Sequence, residues 1–578
     1  MKLTDVRRLT GVNFLMDETG AAAEAEVPDA VKSVVGSLWQ QRMRELLDAV
    51  GWLDEVVAIR SYPGGITLFV SAPRDALFTA TDMIEYVWEC LEKELSEEIS
   101  TNDFSVAVEK FRQEIAEEAN PDVLAICKAA EEHGVSFLGD DGTVTLGLGK
   151  GSQPWPNDEL PSVQSLDWST IHDIPLAMVT GTNGKSTTVR LAAAIGQEAG
   201  LTVGLSSSDW VKVGDDVLDE GDYSGPAGAK LAVRDQRADV AIIEAARGGM
   251  MRRGLPIAQA DICLITNVAA DHLGTYGITD VSSLADAKFL LAEAVKPGGK
   301  LILNNDDPEV VNRAGRFSGD ITWYGLDFDE GALKAWINAG GHAVFVRDGS
   351  MMLARNGDLS AVLPVVDFPP GLNGAAKFNV SNALAAIAIA AAFDLPVPAM
   401  TKALASFQST PEENPGRSNF LEIGGVRLLV DFAHNPHGLL ALGEAIKAIP
   451  SKRKAFIVGQ AGDRSDSDIE ETVEVIWGIG PDMFIVKELE SKIRGREPGE
   501  VPAIIASRLE SLGVDQEAML ITDSEMDAVY AALEWAEDGD FLVLLLHGNR
   551  KQALSLINNL KNANWQAGDV VPRLPSFA

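Results

Sequence analysis

From Ile174 onward the chain repeats one pattern, and that pattern leaves few folds open. Short apolar runs (LAMVTG, DVAIIEA, DICLITN, KLILNN) end in glycine or polar turns, several of them feeding helices. Runs that are apolar at nearly every position must be buried on both faces, the signature of a mostly parallel sheet covered by helices on each side. A break near Pro411–Pro415 precedes a second series of the same kind: VRLLVDFA, KAFIVGQA, DMFIVKE, AMLITD and FLVLLLHG. Residues 1–120 read differently, as a small α+β unit. Val56–Arg60 and Gly65–Ser71 are expected strands around a Pro-Gly-Gly turn, and Ala80–Ser96 is an expected amphipathic helix. The stretch from Ala119 to Asp173 is irregular, with a hairpin predicted over Thr143–Leu148 and a linker over GSQPWPNDELPS.

Composition excludes several classes. Among 578 residues, 85 are acidic and 48 basic, a formal net charge of -37. A general nucleic-acid binder needs the opposite balance to displace counterions from phosphates, and docking on anionic lipid is disfavoured for the same reason. The three cysteines (Cys90, Cys127, Cys263) are far apart and draw neither a disulfide framework nor a metal clip. No apolar core of a signal peptide follows MKLTDVRRLTG. The longest apolar stretch, near Ala383–Phe393, is too short to span a bilayer. A cytoplasmic protein without membrane or nucleic-acid partners is expected.

The sharpest motif is Thr180-Gly181-Thr182-Asn183-Gly184-Lys185-Ser186-Thr187, set between an apolar strand (Pro175–Val179) and a helix (Thr187–Glu198). Glycines let backbone N–H groups close around phosphate oxygens, and the helix N-terminus adds a favourable dipole. Lys185 is placed to reach the β- and γ-phosphates of a nucleotide and the Ser186 hydroxyl to ligate Mg²⁺. The motif departs from GxxxxGK[ST] in carrying Val179 where the first glycine would stand. A tight glycine turn feeding a helix is the competing reading; the strand–loop–helix context favours the phosphate loop.

Downstream, Glu244 ends the strand DVAIIEA, and Asp271-His272 follows the strand ICLITN. Ligands of open α/β sheets bind outside such strand ends, so Glu244 and His272 are predicted to face the phosphate-loop crevice as metal ligands. A turn-capping glutamate and a satisfied structural histidine are the alternatives. Arg247, Arg252 and Arg253 (ARGGMMRRG) form a basic cluster in a very acidic chain. They are either a solvated loop or a clamp for substrate carboxylates.

The order of these motifs resembles the Mur ligase family from about Ile174 to about Gly548. The resemblance rests on GTNGKST, IEAARGGMMRRGL, TNVAADHLG, AKFLLAEAV, LNNDDP, KFNVSNALAAIA, NPGRSN and DFAHNPHG. Within the family it is most similar to the Mur-ligase half of the cyanophycin synthetases, through ARGGMMRRGL, DEGDYSGP, AGDRSDSDIEE and RGREPGE. LTGVN near the start resembles the N-terminal domain of those enzymes. AAEEHGVSFLGDDGTVTLGLGKG resembles the opening of their ATP-grasp half, the rest of which is expected to be missing.

The implied architecture is α/β with three Mur-ligase domains: a small α+β N-terminal domain (1–120), a central P-loop parallel-sheet domain (173–410) and a C-terminal Rossmann-like α/β domain (411–578), with an ATP-grasp remnant and linker at 121–172. The implied activity is ATP-dependent amide ligation through an acyl phosphate, with ATP and Mg²⁺ as cofactors. Gly181, Thr182, Asn183, Gly184, Lys185, Ser186, Thr187 and Asn304 fall to the nucleotide. Ser186, Glu244 and His272 match metal ligands, and Lys288 matches a lysine that many members carbamylate; a plain helix-surface lysine is its competitor. Asn382 matches an adenine contact, whereas Phe378 replaces the family's usual histidine. Arg417 and Asp431 match nucleotide contacts supplied by domain closure. His434 and Asn435 are candidates for the cleft or for ordinary turn and N-cap roles. Arg494 and Arg496 lie where the family grips the incoming amino acid. The resemblance implies a small-molecule or short-peptide acid as acceptor, an amino acid or other amine as donor, and assembly as a homo-oligomer. A peptidoglycan-type ligase, a catalytically inactive ATP-binding protein and a stand-alone ATPase are the rival readings.

Overall fold

The computed structural model describes residues 1–96 and 104–573; the parts of the expected N- and C-terminal domains at 97–103 and 574–578 lie outside the described residues. The chain divides into two compact units. The first holds residues 1–344, 353–359 and 385–400; the second holds 345–352, 360–384 and 401–578, so it starts earlier than the expected boundary at 411.

The first unit opens with β1 (Lys2–Leu9), β2 (Gly20–Glu26), α1 (Lys32–Val50), β3 (Val57–Tyr62), β4 (Gly65–Ser71), α2 (Leu77–Leu95) and α3 (Phe104–Glu118). The strands form an antiparallel sheet in the order β1-β2-β4-β3. Ala21, Ala23 and Ala25 of β2 share a core with Trp39, Met43, Met83 and Trp88 from the helices. Small residues on the strand leave room for these large side chains. Helix α2 starts at Leu77, ahead of the predicted Ala80, because Glu118 of α3 accepts the backbone N–H groups of Phe78 and Thr79 at 2.8 and 2.9 Å. That carboxylate satisfies donors which a helix N-terminus otherwise leaves open.

Helix α4 (Pro121–His133) is followed by β5 (Phe137–Gly139), β6 (Thr143–Leu146) and β7 (Gln153–Pro156), a three-stranded antiparallel sheet. The predicted linker is therefore in part a strand. Pro154 and Pro156 are tolerated because β7 lies at the sheet edge, where a missing N–H costs no ladder bond. Trp155 packs on a small core of Ile126, Ala130, Val144, Leu146 and Ile171.

The remainder of the first unit runs β8 (Leu176–Thr180), α5 (Lys185–Glu198), β9 (Val203–Ser206), β10 (Trp210–Val213), β11 (Asp216–Glu220), α6 (Pro226–Arg234), β12 (Val240–Glu244), α7 (Arg247–Arg253), β13 (Ala260–Ile265), α8 (Val281–Glu293), β14 (Val295–Asn304), α9 (Pro308–Arg313) and β15 (Asp320–Gly325). In space the strands follow β11-β10-β9-β12-β8-β13-β14-β15, parallel from β9 to β15. β8 lies between β12 and β13, so the chain leaves its carboxyl end at the point where the strand order reverses.

In the second unit a six-stranded sheet runs, by residue, 419–423, 426–431, 541–545, 454–458, 483–487, 519–522. All neighbours are parallel except the first pair, a hairpin closed by Gly424 and Gly425 at φ 53° and 83°. Both turn residues need positive φ, which explains the glycine pair.

Asp307 ties the sheet to α9: it caps Val310 N at 3.0 Å and accepts Val268 N, from the segment after β13, at 2.7 Å. Asp307→Ala removes the cap and strands a buried donor, an expected loss of about 2–3 kcal/mol. Calorimetry of the variant is expected to show a lowered midpoint for the first unit; an unchanged midpoint would show the cap to be idle.

Candidate active site

The phosphate loop follows β8. Gly181 has φ +147°, and a Cβ there would stand 1.8 Å from the Thr266 hydroxyl, so only glycine fits. Gly184 at φ +88° turns the chain into α5, which begins at Lys185, so Lys185, Ser186 and Thr187 form its first turn. The loop is fastened from the end of β13. Thr182 N donates to the Asn267 carbonyl at 2.8 Å and Asn183 N to Asn267 Oδ1 at 2.9 Å. Thr266 Oγ1 and Asn267 Nδ2 both donate to the Asn183 carbonyl, at 2.7 and 3.0 Å. Asn304 sits behind this fastening, its Nδ2 donating to the Thr266 carbonyl at 2.7 Å beside Tyr324 Oη at 3.2 Å.

Glu244, at the end of β12, is 1 % exposed. Ser186 Oγ donates to its Oε2 at 2.8 Å, Ser208 Oγ to its Oε1 at 3.0 Å and Ser208 N to Oε2 at 3.2 Å. Lys185 Nζ lies 4.0 Å from Oε1 and donates to the Thr182 carbonyl at 3.0 Å. A hydroxyl and a carboxylate in contact at a phosphate loop are hard oxygen donors of the kind Mg²⁺ selects, so the residues present fit that ion.

Lys288 is 3 % exposed on α8. Burial first, and then the positive charge of Lys185, hold its ammonium well below the ordinary lysine range, with Asp271 acting the other way. It is a core lysine and not a helix-surface one. His272 lies on the loop after β13 with φ 50° and a half-exposed ring, 4.0 Å from Asp271. Arg247 reaches the same loop, donating to Thr275 Oγ1 at 2.8 Å, and Arg252 Nε donates to Tyr276 Oη at 3.3 Å. Arg253 turns away and donates to the Arg8 carbonyl of β1 at 3.3 Å.

The second unit holds the other candidates. Asp431, ending its strand, accepts Ser418 N and Ala433 N, both at 2.7 Å. Burial raises its carboxyl while nearby Arg417 lowers it, and the balance is upward. Arg417 lies 4.5 Å over the Phe432 ring. His434 Nδ1 is 3.0 Å from the Phe432 carbonyl, and Asn435 caps the helix Pro436–Lys447 through Gly438 N at 2.8 Å. Asn382 is buried, 3.5 Å from Asn379 Oδ1, and Phe378 packs against the unit's apolar core. Arg494 pairs with Asp463. Arg496 is spent on its own unit: it donates to the carbonyls of Gly462 at 3.0 Å and Arg464 at 2.7 Å, and to Glu500 and Asp466 at 2.7 Å each.

Sequence reasoning passed over Ser208, Asn267, Tyr276 and Asp307. Ser208 had a legible signal: SSSD follows β9, the strand beside β12, at the same sheet end as Glu244. Asn267 acts by holding the Asn183 backbone and Tyr276 through arginines distant in sequence, contacts that no spacing rule announces.

Residues 179–390 match the Mur ligase middle domain and residues 416–548 the Mur ligase glutamate ligase domain. The chain is 35% identical over 390 residues to a cyanophycin synthetase of Synechocystis sp., covering 67% of this chain and 44% of the relative. It thus spans less than half the length of that relative. It is 25% identical over 390 residues to a UDP-N-acetylmuramoyl-L-alanyl-D-glutamate–2,6-diaminopimelate ligase of Listeria monocytogenes, covering 65% of this chain and 74% of the relative. Among solved structures, E. coli FolC in complex with ADP superposes with a TM-score of 0.50 at 23% identity, covering 67% of this chain and 90% of FolC, a likeness of fold. Two Mur ligase domains in sequence, together spanning more than half of the chain, are what the glycine loop and the paired parallel sheets build here, and through them the chain belongs to the Mur ligase family.

Proposed function

We propose that the protein is an ATP-dependent carboxylate–amine ligase, coupling a small-molecule or short-peptide acid to an amino acid or another amine with release of ADP and phosphate. The observation that carries this reading is the convergence of Lys185, Ser186 and Glu244 at one strand end with the buried Lys288 nearby. When bound, Mg²⁺ would supply charge neutralisation at the phosphates, held by Ser186 and Glu244 with His272. Lys185 stabilises charge on the transferred phosphoryl group as the substrate carboxylate becomes an acyl phosphate. Arg247 and Arg252 orient that carboxylate, and the amine then displaces phosphate. Gly181–Thr187 cradle the nucleotide, while Asn304 acts behind the loop through Thr266. In this reading Asn382, Arg417 and Asp431 serve the nucleotide and His434, Asn435 and Arg494 the substrates, whereas Arg496, with its donors satisfied inside its own unit, has no part.

Lys288 suits carbamylation, because only a neutral amine attacks carbon dioxide and burial favours the neutral form. The reading also places the protein in the cytoplasm. Cys90, Cys127 and Cys263 are free thiols, and no helix among the described residues is long and apolar enough to cross a membrane.

The test is an ATP-to-ADP screen over acid and amine pairs, with mass spectrometry of the product. Turnover that needs both partners and yields an amide is expected. Steady hydrolysis without an acid would identify an ATPase, and no turnover with any pair a retired enzyme. Lys185→Ala and His272→Ala are each expected to cut amide formation by about 10²-fold or more; retained activity in either refutes the assigned site.

Lys288 also predicts a pH dependence. Its folded-state value lies below the free value of 10.5. Between those two values the unfolded chain binds a proton that the folded chain does not, so stability falls as pH falls, by about 1.4 kcal/mol per unit. Lys288→Met is expected to lack this slope in denaturation curves measured from pH 10 downward; identical slopes would show a charged lysine.

A further inference from the structure

Four guanidinium groups converge on Tyr276, in the loop that carries His272. Arg7 of β1 lies over its ring at 4.8 Å and Arg247 of α7 at 5.9 Å. Arg252 of α7 meets its hydroxyl at 3.3 Å. Arg60 of β3 donates to the Tyr276 carbonyl at 3.3 Å and to the Gly277 carbonyl at 2.9 Å. Tyr276 has φ 55°. A bulky residue holds that left-handed conformation only where its surroundings impose it.

Two of these arginines come from the N-terminal sheet, and the other two are the candidate carboxylate clamp. The N-terminal residues also hold α7 itself. Arg7 is 5 % exposed; its Nε donates to the Met251 carbonyl at 3.0 Å, and Glu24 and Asp5 fix it at 2.7 and 2.6 Å. Thr67 closes the network on the other oxygen of Glu24 at 2.8 Å. Thr10 N donates to the Arg253 carbonyl at 2.9 Å and Leu255 N to the Val12 carbonyl at 2.7 Å. Val12 and Phe14 pack on the core beneath the central sheet.

We propose that Arg7 and Arg60 are positioning residues for the acid substrate: through Tyr276 and the α7 backbone they set where Arg247 and Arg252 meet its carboxylate. The N-terminal sheet is then part of the acceptor site in cis. The substrate role rests on the ligase reading above; the mechanical coupling does not.

The experiment uses the full-length chain and Arg60→Ala, Arg60→Lys and Tyr276→Phe, each first checked for an unchanged melting temperature. Arg7 is avoided because its loss would leave Glu24 buried without its cation. With the acid and amine pair that gives turnover, Arg60→Ala is expected to raise the KM for the acid about tenfold, the scale of lost charge-assisted hydrogen bonds. The KM values for ATP and amine stay within about twofold. Arg60→Lys recovers little of the loss, because an ammonium does not reproduce the fork on two adjacent carbonyls. Tyr276→Phe shifts the KM for the acid in the same direction. Hydrogen–deuterium exchange is read in parallel: in Arg60→Ala the amides of 247–255 and 272–278 exchange faster and those of 181–187 do not. An unchanged KM for the acid, an equal rise for ATP, or unchanged exchange overturns the proposal. If the unaltered protein turns over no pair at all, the ligase reading fails, and exchange alone decides the coupling: faster exchange in both segments upholds it and unchanged exchange overturns it.

Discussion

A carboxylate that is 1 % exposed cannot stand alone, and Glu244 organises the first unit around that fact. An ionised group out of water needs donors and opposite charge close by. Glu244 finds them in two serine hydroxyls, one backbone N–H and the ammonium of Lys185. Ser186 and Lys185 lie in the first turn of α5, Ser208 lies beyond β9, and Glu244 ends β12. One buried charge therefore pins three segments at the same carboxyl end of the sheet. The geometry also leaves a carboxylate and a hydroxyl side by side, the pair that an oxygen-preferring cation would bridge.

The sheet that makes this possible was the most legible feature of the sequence, because runs buried on both faces admit few arrangements. The phosphate loop was legible for the same kind of reason: Gly181 occupies a conformation and a clearance that other residues do not fit, and Gly184 a positive φ. The candidate site was legible where function needs a residue type at a strand end, as with Glu244, and illegible where residues act through the backbone. Asn304 illustrates the limit. Its motif marks it as a site residue, yet its amide holds the Thr266 carbonyl, one step behind the loop. Local composition misled at β7, since two prolines read as a linker until an edge position makes them harmless. Of the hairpin over 419–431 the second strand was legible in VRLLVDFA, whereas the first, NFLEI, was not, being short and of mixed burial.

Arg253 and Arg496 show how much of a basic cluster can be structural. Both sat in motifs that suggest carboxylate recognition. Arg253 faces the β1 backbone, and Arg496 spends its guanidinium on two carbonyls and two carboxylates within its own unit. A guanidinium with satisfied donors has little left for a ligand. Arg252 differs, because its described partner is a phenol oxygen.

The net charge of -37 takes a different meaning against this arrangement. Spread over the surface, it repels polyanions at long range, but salt screens that field within about 8 Å. Near Tyr276 four guanidinium groups gather, although Asp5, Glu24, Asp280 and Asp286 also act on them. Of the converging arginines, Arg7 has carboxylate partners, whereas Arg60 binds carbonyl oxygens and Arg252 a hydroxyl. Neutral oxygens and ring faces orient a cation without cancelling its charge. On the proposed reading, a small acid that reaches this loop meets guanidinium groups whose direct partners are neutral oxygens, whereas a long polyanion must bring its remaining charges against an acidic surface. On the proposed ligase reading, the two scales together favour an acceptor with few charges, presented one carboxylate at a time.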